Sequence, residues 1–331
     1  MKRVHIVSMS IVTLMLLTSS ISYASERSTL SFSIDNDGVF GVDQDYTNGL
    51  FLSYTSSAIQ PNNLLKPLSL SFWGASSLDK YEITLGHKMY TPTDIEATEP
   101  LADNRPYAGF LHAELNYISL HPQQAQRFNF TLGTTGENSL ADKAQDIVHG
   151  ITGSDDPQGW HYQVGDQMVA NLGYLSHFNW YRERISSNTE FEIANVSELN
   201  VGNFRSDVST GIMFRWGTDL AGNMGAANID SENPFRAGMI GASNGGWFVY
   251  GGIEARYRFN DITIEGDRPG LPDPDLYEVS LAHNQATAIV GVAWYNASYG
   301  LSLATTIKTA DYKDAPDDIY GTGSLSLFTF F

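Results

Sequence analysis

Period-two alternation of apolar and polar residues recurs along the whole chain, and no stretch of about 18 apolar residues follows residue 24. The second fact excludes a membrane protein built of helices, and the first calls for strands. In Trp247 to Phe259 one face reads Trp247, Val249, Gly251, Ile253, Ala255, Tyr257 and Phe259, while the other carries Glu254, Arg256 and Arg258. Tyr107 to Tyr117 repeats the pattern, with Leu111, Ala113 and Leu115 on one face and His112, Glu114 and Asn116 on the other. No helical period competes over comparable length.

A soluble sandwich alternates as well, with its apolar face inward. Three features favour a barrel in a membrane. Aromatic residues gather at run ends (Tyr107, Tyr117, Trp247, Tyr257, Phe259, Trp294), as interfacial girdles do. The runs are about ten residues long, the span a tilted strand needs to cross a bilayer. The last residues, Leu325, Leu327, Phe328, Phe330 and Phe331, resemble the C-terminal sorting signal read by the barrel assembly machinery, with Thr329 in place of the usual apolar residue. The expected fold class is all-β: a transmembrane antiparallel β-barrel of about twelve strands, with a short helix in an outer loop. The strands are expected near 27–35, 49–57, 80–90, 106–119, 126–134, 166–182, 187–196, 204–216, 246–260, 276–295, 299–309 and 320–331. Leu68 to Trp73 is assigned to a turn.

Residues 1–24 read as a secretory signal: Lys2 and Arg3, an apolar stretch from Ile11 to Leu17, then Ser22-Tyr23-Ala24 as a small-x-small cleavage site. The remaining 25–331 would form one barrel domain. The formal charge of −18 becomes 17 − 37 = −20 after loss of Lys2 and Arg3, which argues against nucleic acid as a partner. The absence of cysteine excludes disulfides, thiolate metal sites and a Cys nucleophile. Charged residues at 17% and aromatic residues at 12% argue against a disordered chain.

With the N-terminus in the periplasm, 36–48, 91–105, 135–165, 197–203, 261–275 and 310–319 become outer loops, and 120–125, 183–186 and 296–298 short periplasmic turns. Residues 58–79 and 217–245 would be long periplasmic connections, against the rule for such barrels. Three polar segments fall on the outer rim. Asp35-Asn36-Asp37 with Asp43 and Asp45-Tyr46-Thr47-Asn48-Gly49 offers the oxygen donors that Ca²⁺ takes, or ordinary Asx turns. Arg105 is the one basic residue in 91–105, suited to a substrate phosphate or to an internal ion pair. Residues 138–149 suit a short helix with Ser139 as cap and His149 near its end, a solvated histidine or a general base. Gly241-Ala242-Ser243-Asn244-Gly245 matches G-x-S-x-G but precedes a strand, outside the strand-to-helix turn a nucleophile elbow requires.

Taken together, Asn36-Asp37, Asp45-Tyr46-Thr47-x-Gly49, Arg105 followed by Phe110-Leu111-His112, and His149 with Trp160 and Gln163 resemble the outer-membrane lipid A 3′-O-deacylases of Gram-negative bacteria. The resemblance covers essentially the whole chain after the signal. It implies a twelve-stranded barrel in the outer membrane, its active site at the outer rim and facing outside, acting on lipid A of lipopolysaccharide. It implies Ca²⁺ as cofactor, with Asn36, Asp37 and Thr47 at the metal and catalytic site, His149 as the base that activates water, and Asp155 where the family has a glutamate. Substrate phosphates would fall to Arg105, a bridging cation or another loop, since 91–104 hold no Lys or Arg. An outer-membrane phospholipase, or a non-catalytic channel or adhesin, would share the barrel. The first needs a Ser–His pair on the lipid-facing wall. The second needs an open lumen, whereas Glu254, Arg256, Arg258, His112 and Glu114 could pair and plug a small one.

Overall fold

The computed structural model describes residues 27–40, 44–152 and 157–331. The expected signal at 1–24 and Asp155 lie outside them. Twelve strands form a closed antiparallel barrel: β1 (Thr29–Asn36), β2 (Asp45–Thr55), β3 (Leu78–Thr91), β4 (Ala108–His121), β5 (Gln124–Thr135), β6 (Met168–Arg184), β7 (Glu190–Gly202), β8 (Arg205–Gly217), β9 (Gly246–Asp261), β10 (Asn284–Tyr295), β11 (Tyr299–Thr309) and β12 (Ile319–Phe330). Each pairs with its sequence neighbour, and β1 closes on β12 from Thr29↔Phe330 to Asn36↔Gly323. Closure leaves no edge, so every wall amide can find a partner without water, the condition for crossing lipid. No helix among the described residues is long and apolar enough to cross a membrane. Helix α1 (Ala141–Thr152) lies between β5 and β6, and the single turn α2 (Ile262–Glu265) follows β9.

The side-chain period places Leu30, Phe32, Ile83, Leu85, Leu132, Ile253, Val290 and Leu303 outside, all well exposed for lipid. Inside, the wall strands send Glu82, Glu114, Glu198, Arg256 and Arg258, all buried. The end that holds Thr29 and Phe330 is called the near rim; the opposite end, with α1, is the far rim.

Two strand boundaries differ from expectation by more than four residues. Residues 197–203 are not a loop, because β7 runs to Gly202. Leu199 and Val201 continue the lipid face, while Glu198 and Asn200 turn inward to Arg256 (2.9 Å) and Asp207 (3.1 Å). Strand β10 begins at Asn284 rather than 276, because Pro274–Tyr277 forms a 3-10 turn and Leu281 makes only an isolated bridge to Tyr312.

The long near-rim connection 218–245 folds back into the barrel and fills it. Ile229 reaches the wall at Gly211 and Gly252, where a Cβ would meet its Cδ1 at 2.8 and 2.7 Å. Phe235 stacks with Phe328 (5.6 Å), so Phe328 and Phe330 of the C-terminal strand point inward while Leu325, Leu327 and Phe331 are exposed. Arg236 reaches Glu114 at 3.0 Å and Glu82 at 3.5 Å; Glu232 meets Lys88 at 2.6 Å and Arg205 at 3.1 Å. A polar space of about 80 Å³ remains beside Arg127, His112 and Glu114. The paired lumen charges, with this plug, stand where a channel would need water.

Candidate active site

Asn36 ends β1 and lies on the parity of Leu30, Phe32 and Ile34, so it faces the outside of the wall at the far rim. Its Nδ2 donates to the carbonyl of Thr47 (3.0 Å), and its Oδ1 accepts from Gly38 N (2.8 Å). A Cβ at position 38 would come within 2.4 Å of that Oδ1, which explains the glycine. Asp37 opens the 3-10 turn Asp37–Phe40, and its Oδ2 accepts from Gln44 N (2.5 Å) and the Thr47 hydroxyl (3.3 Å).

Thr47 sits at a bulge. The β2–β3 register shifts between Tyr46 and Asn48, so Tyr46 points into the barrel against Tyr90 while Asn48 pairs with Met89 on the outside. A bulge re-aims side chains at a strand end in this way. The Thr47 hydroxyl meets that of Thr91 at 2.8 Å. Since Thr47 donates to Asp37, Thr91 donates to Thr47, giving a relay Thr91–Thr47–Asp37. The structure therefore brings the expected Asn36, Asp37 and Thr47 together and adds Thr91. Their donors are all oxygen, the chemistry of a hard cation. The buried Asn48 Oδ1, opposite Asn36 in the ladder, has no hydrogen-bond donor among the described residues. Asn36, Asp37, Thr47 and Asn48 could hold such an ion.

Beside this cluster, α1 lies on the outer face of β3 and β4. Gly109 makes room for it: a Cβ there would be 2.1 Å from Ser139 Oγ and 2.4 Å from Ala141 Cβ. His87 bonds the Ser139 carbonyl at 2.9 Å, and Met89, Tyr107, Ala141 and Trp160 form an apolar cluster beneath the helix. Trp160 Nε1 donates to Gln145 Oε1 at 2.7 Å. His149 is one turn further along α1; its side chain lies outside the described residues, as does Asp155.

Arg105 is placed on the other side of the wall. It is 2% exposed, pairs with Asp45 and with Asp311 (3.3 Å), donates to Thr263 (3.2 Å) and lies 4.6 Å over the Tyr90 ring. Burial alone would lower its pKa, but Asp45 and Asp311 outweigh it and raise the value. Burial would likewise raise that of Asp311, yet Lys308, Arg258 and Arg105 hold it well below the usual carboxylate range. This matches the internal ion-pair alternative: the guanidinium is buried and turned to carboxylates, with its Nε unmatched among the described residues. His112 is also inside, 3.6 Å from Glu114. Ser243 is buried in the plug, accepting from Tyr295 OH at 2.7 Å, far from the rim cluster along the barrel axis.

The sequence profile of the family described as Outer membrane protein LpxR matches residues 8–331. The chain belongs to this family. Among solved structures, LpxR from Salmonella typhimurium superposes with a TM-score of 0.76 at 19% identity, covering 92% of this chain and all of the other, so the LpxR barrel fold is shared. The β domain of the Bordetella autotransporter BrkA covers 92% of this chain and 97% of its own at 8% identity, with a TM-score of 0.43. Comparison with curated proteins gave no match. The LpxR family places the chain in the outer membrane and agrees with the resemblance read from the rim motifs.

Proposed function

We propose that this protein is a Ca²⁺-dependent lipid A deacylase, hydrolysing an ester-linked acyl group (the 3′-acyloxyacyl group) in the outer leaflet, with its far rim facing outside. The observation that carries this reading is the rim cluster in which Asn36 and Thr91, on the lipid parity of the wall, bond to buried Asp37 and Thr47 beside the helix that bears His149. A soluble enzyme would have to draw an acyl chain through water; here the ester can reach the polar cluster with its chains still in the membrane.

In this mechanism His149 takes a proton from water, and the oxygen attacks the ester carbonyl. The acyl carbon–oxygen bond breaks, the sugar oxygen leaves and regains a proton, and a free carboxylate is released. The Thr91–Thr47–Asp37 relay holds the Asp37 carboxylate in one orientation. Asn36, Asp37 and Thr47 would hold Ca²⁺, which would supply positive charge for the developing oxyanion. Asp155 takes the place of a carboxylate that supports the metal or the base. Arg105 has no part in substrate binding here. The phospholipase alternative needs a Ser–His pair on the lipid-facing wall, and Ser243, buried in the plug, does not supply one.

The test is turnover of the purified, heat-modifiable protein on lipid A with excess chelator and after Ca²⁺ is restored, run alongside His149→Ala. Chelation and the substitution should each abolish release of fatty acid, and Ca²⁺ should restore only the wild type. Full turnover in chelator would remove the metal from the mechanism; near wild-type turnover of the folded variant would remove the base.

A further inference from the structure

The connection 56–77 between β2 and β3 is the second segment too long for a simple turn, and it does not enter the barrel. After Ile59 bridges Asp79, it wraps over the outer wall at the near rim. Ser69 Oγ donates to Asp79 (2.8 Å), Leu70 N donates to Ser119 Oγ (3.0 Å), and Gln126 Nε2 donates to the Leu68 carbonyl (2.7 Å). Asp79, Ser119 and Gln126 lie on the parity of Tyr81, Tyr117 and Phe128, which is the lipid-facing side. Three polar side chains on that side are thus satisfied by the segment. Expected as a plain turn, Lys66–Leu68 and Leu70–Trp73 form two 3-10 turns, the second closed by Gly74 at φ +99.

Having satisfied the wall, the segment presents apolar groups outward. Leu64 is 89% exposed, Trp73 74% and Phe72 57%. Phe72 and Trp73 hold each other edge to face at 5.2 Å, and Trp73 Nε1 donates to the Pro67 carbonyl at 3.0 Å, so its polar group is already matched. This surface continues an aromatic band. Trp180, Trp216, Trp247 and Trp294 all stand at near-rim strand ends, so five of the six tryptophans lie at this level. Tryptophan collects at the boundary between acyl chains and headgroups. Lys66 is the one charged residue of 57–77, exposed, in a chain whose formal charge is −18. A lone cation in an apolar, uncharged strip suits an anionic headgroup next to acyl chains.

We propose that residues 57–77 are an interfacial strap that binds phospholipid, with Leu64, Phe72 and Trp73 among the acyl chains and Lys66 at a headgroup phosphate. On the orientation proposed above, that lipid belongs to the inner leaflet, opposite the leaflet that supplies substrate. The strap fixes how deep the near rim sits and hence the height of the catalytic rim above it.

The chain has no cysteine, so one nitroxide can be placed at will. Full-length Phe72→Cys is labelled and inserted into vesicles of phosphatidylethanolamine and phosphatidylglycerol, with Leu85→Cys as the wall reference and Lys313→Cys as the water reference. Collision of the label with oxygen and with a water-soluble nickel chelate is read for each. The ratio at 72 is expected to rise severalfold over that at 313 and approach that at 85. Lys66→Glu should shift the label toward water, and more so as phosphatidylglycerol increases. Both vesicle leaflets have the same composition, so the result does not depend on orientation or catalysis. A label at 72 as exposed to nickel as one at 313 would overturn the proposal. So would a label shielded only after a periplasmic protein extract is added, which would mark the strip as a protein contact.

Discussion

Replacing Arg105 by methionine separates a stabilising ion pair from a substrate ligand. The substitution keeps most of the side chain's length and removes a guanidinium that touches Asp45, Asp311 and Thr263 over the Tyr90 ring. Breaking a buried pair costs about 3–5 kcal/mol, because the abandoned charge has no water to turn to. Here the carboxylates keep other partners: Lys308 is 2.7 Å from Asp45 and 2.6 Å from Asp311, and Arg258 is 3.1 Å from Asp311. The loss should fall at the low end, about 3 kcal/mol. Urea unfolding from lipid vesicles, followed by tryptophan fluorescence, reads it as a lower midpoint. Turnover and KM for lipid A, measured per folded molecule, should stay near wild type. The pH dependence has a definite sign. Asp311 is depressed in the folded state, so its contribution is complete above about pH 4, the ordinary carboxylate range, and disappears as pH falls toward the folded value. Without Arg105 the depression is smaller and the acid loss shallower. An unchanged midpoint with a raised KM would refute this reasoning and return Arg105 to the substrate.

Thr91→Val keeps the shape beside Thr47 and removes the relay hydroxyl, so kcat should fall about tenfold, the cost of one hydrogen bond near 1.4 kcal/mol, with KM little changed and Thr91→Ser restoring it. Gly109→Val should leave a heat-modifiable barrel without deacylation, since its side chain would displace α1 from the wall; normal turnover would show that the helix need not dock there. The wild type should show no steady conductance in planar bilayers, whereas Arg236→Ala with Glu232→Ala, which releases the plug from Glu114, Glu82, Lys88 and Arg205, should admit ion flow. Identical silent traces would mean that packing of Ile229 and Phe235 alone holds the plug.

The barrel was legible because lipid is a strict solvent: every second residue of a wall strand must be apolar, and that period survives in Trp247 to Phe259 without any tertiary context. In Glu198-Leu199-Asn200-Val201 the alternation continues, but four residues with an acid and an amide at the end of a run read equally as a polar loop. The plug and the strap were illegible for another reason. Packing inside a barrel or across its outer wall follows no period, so Ile229, Phe235, Phe72 and Trp73 look like residues of long turns. At the rim, oxygen donors mark 35–49 as a candidate segment and the family resemblance singles out Asn36, Asp37 and Thr47 within it, while Arg105 could not be assigned because its partners Asp45 and Asp311 are distant in sequence. Asn48 belongs to the candidate rim segment, and Thr91, which does not, carries the same signal. Both fall on the lipid parity at a strand end and are polar there, which the membrane permits only where a side chain has something else to bind.

The central claim is tested most directly by mass spectrometry of lipid A extracted from cells that express the chain and from cells that lack it. Lipid A from cells that express the chain should lack a single ester-linked acyl group, and that group should be retained in cells expressing a correctly assembled His149→Ala variant. An unchanged acyl pattern in cells carrying the assembled wild-type barrel, with purified protein equally inactive on lipid A in Ca²⁺, would contradict it.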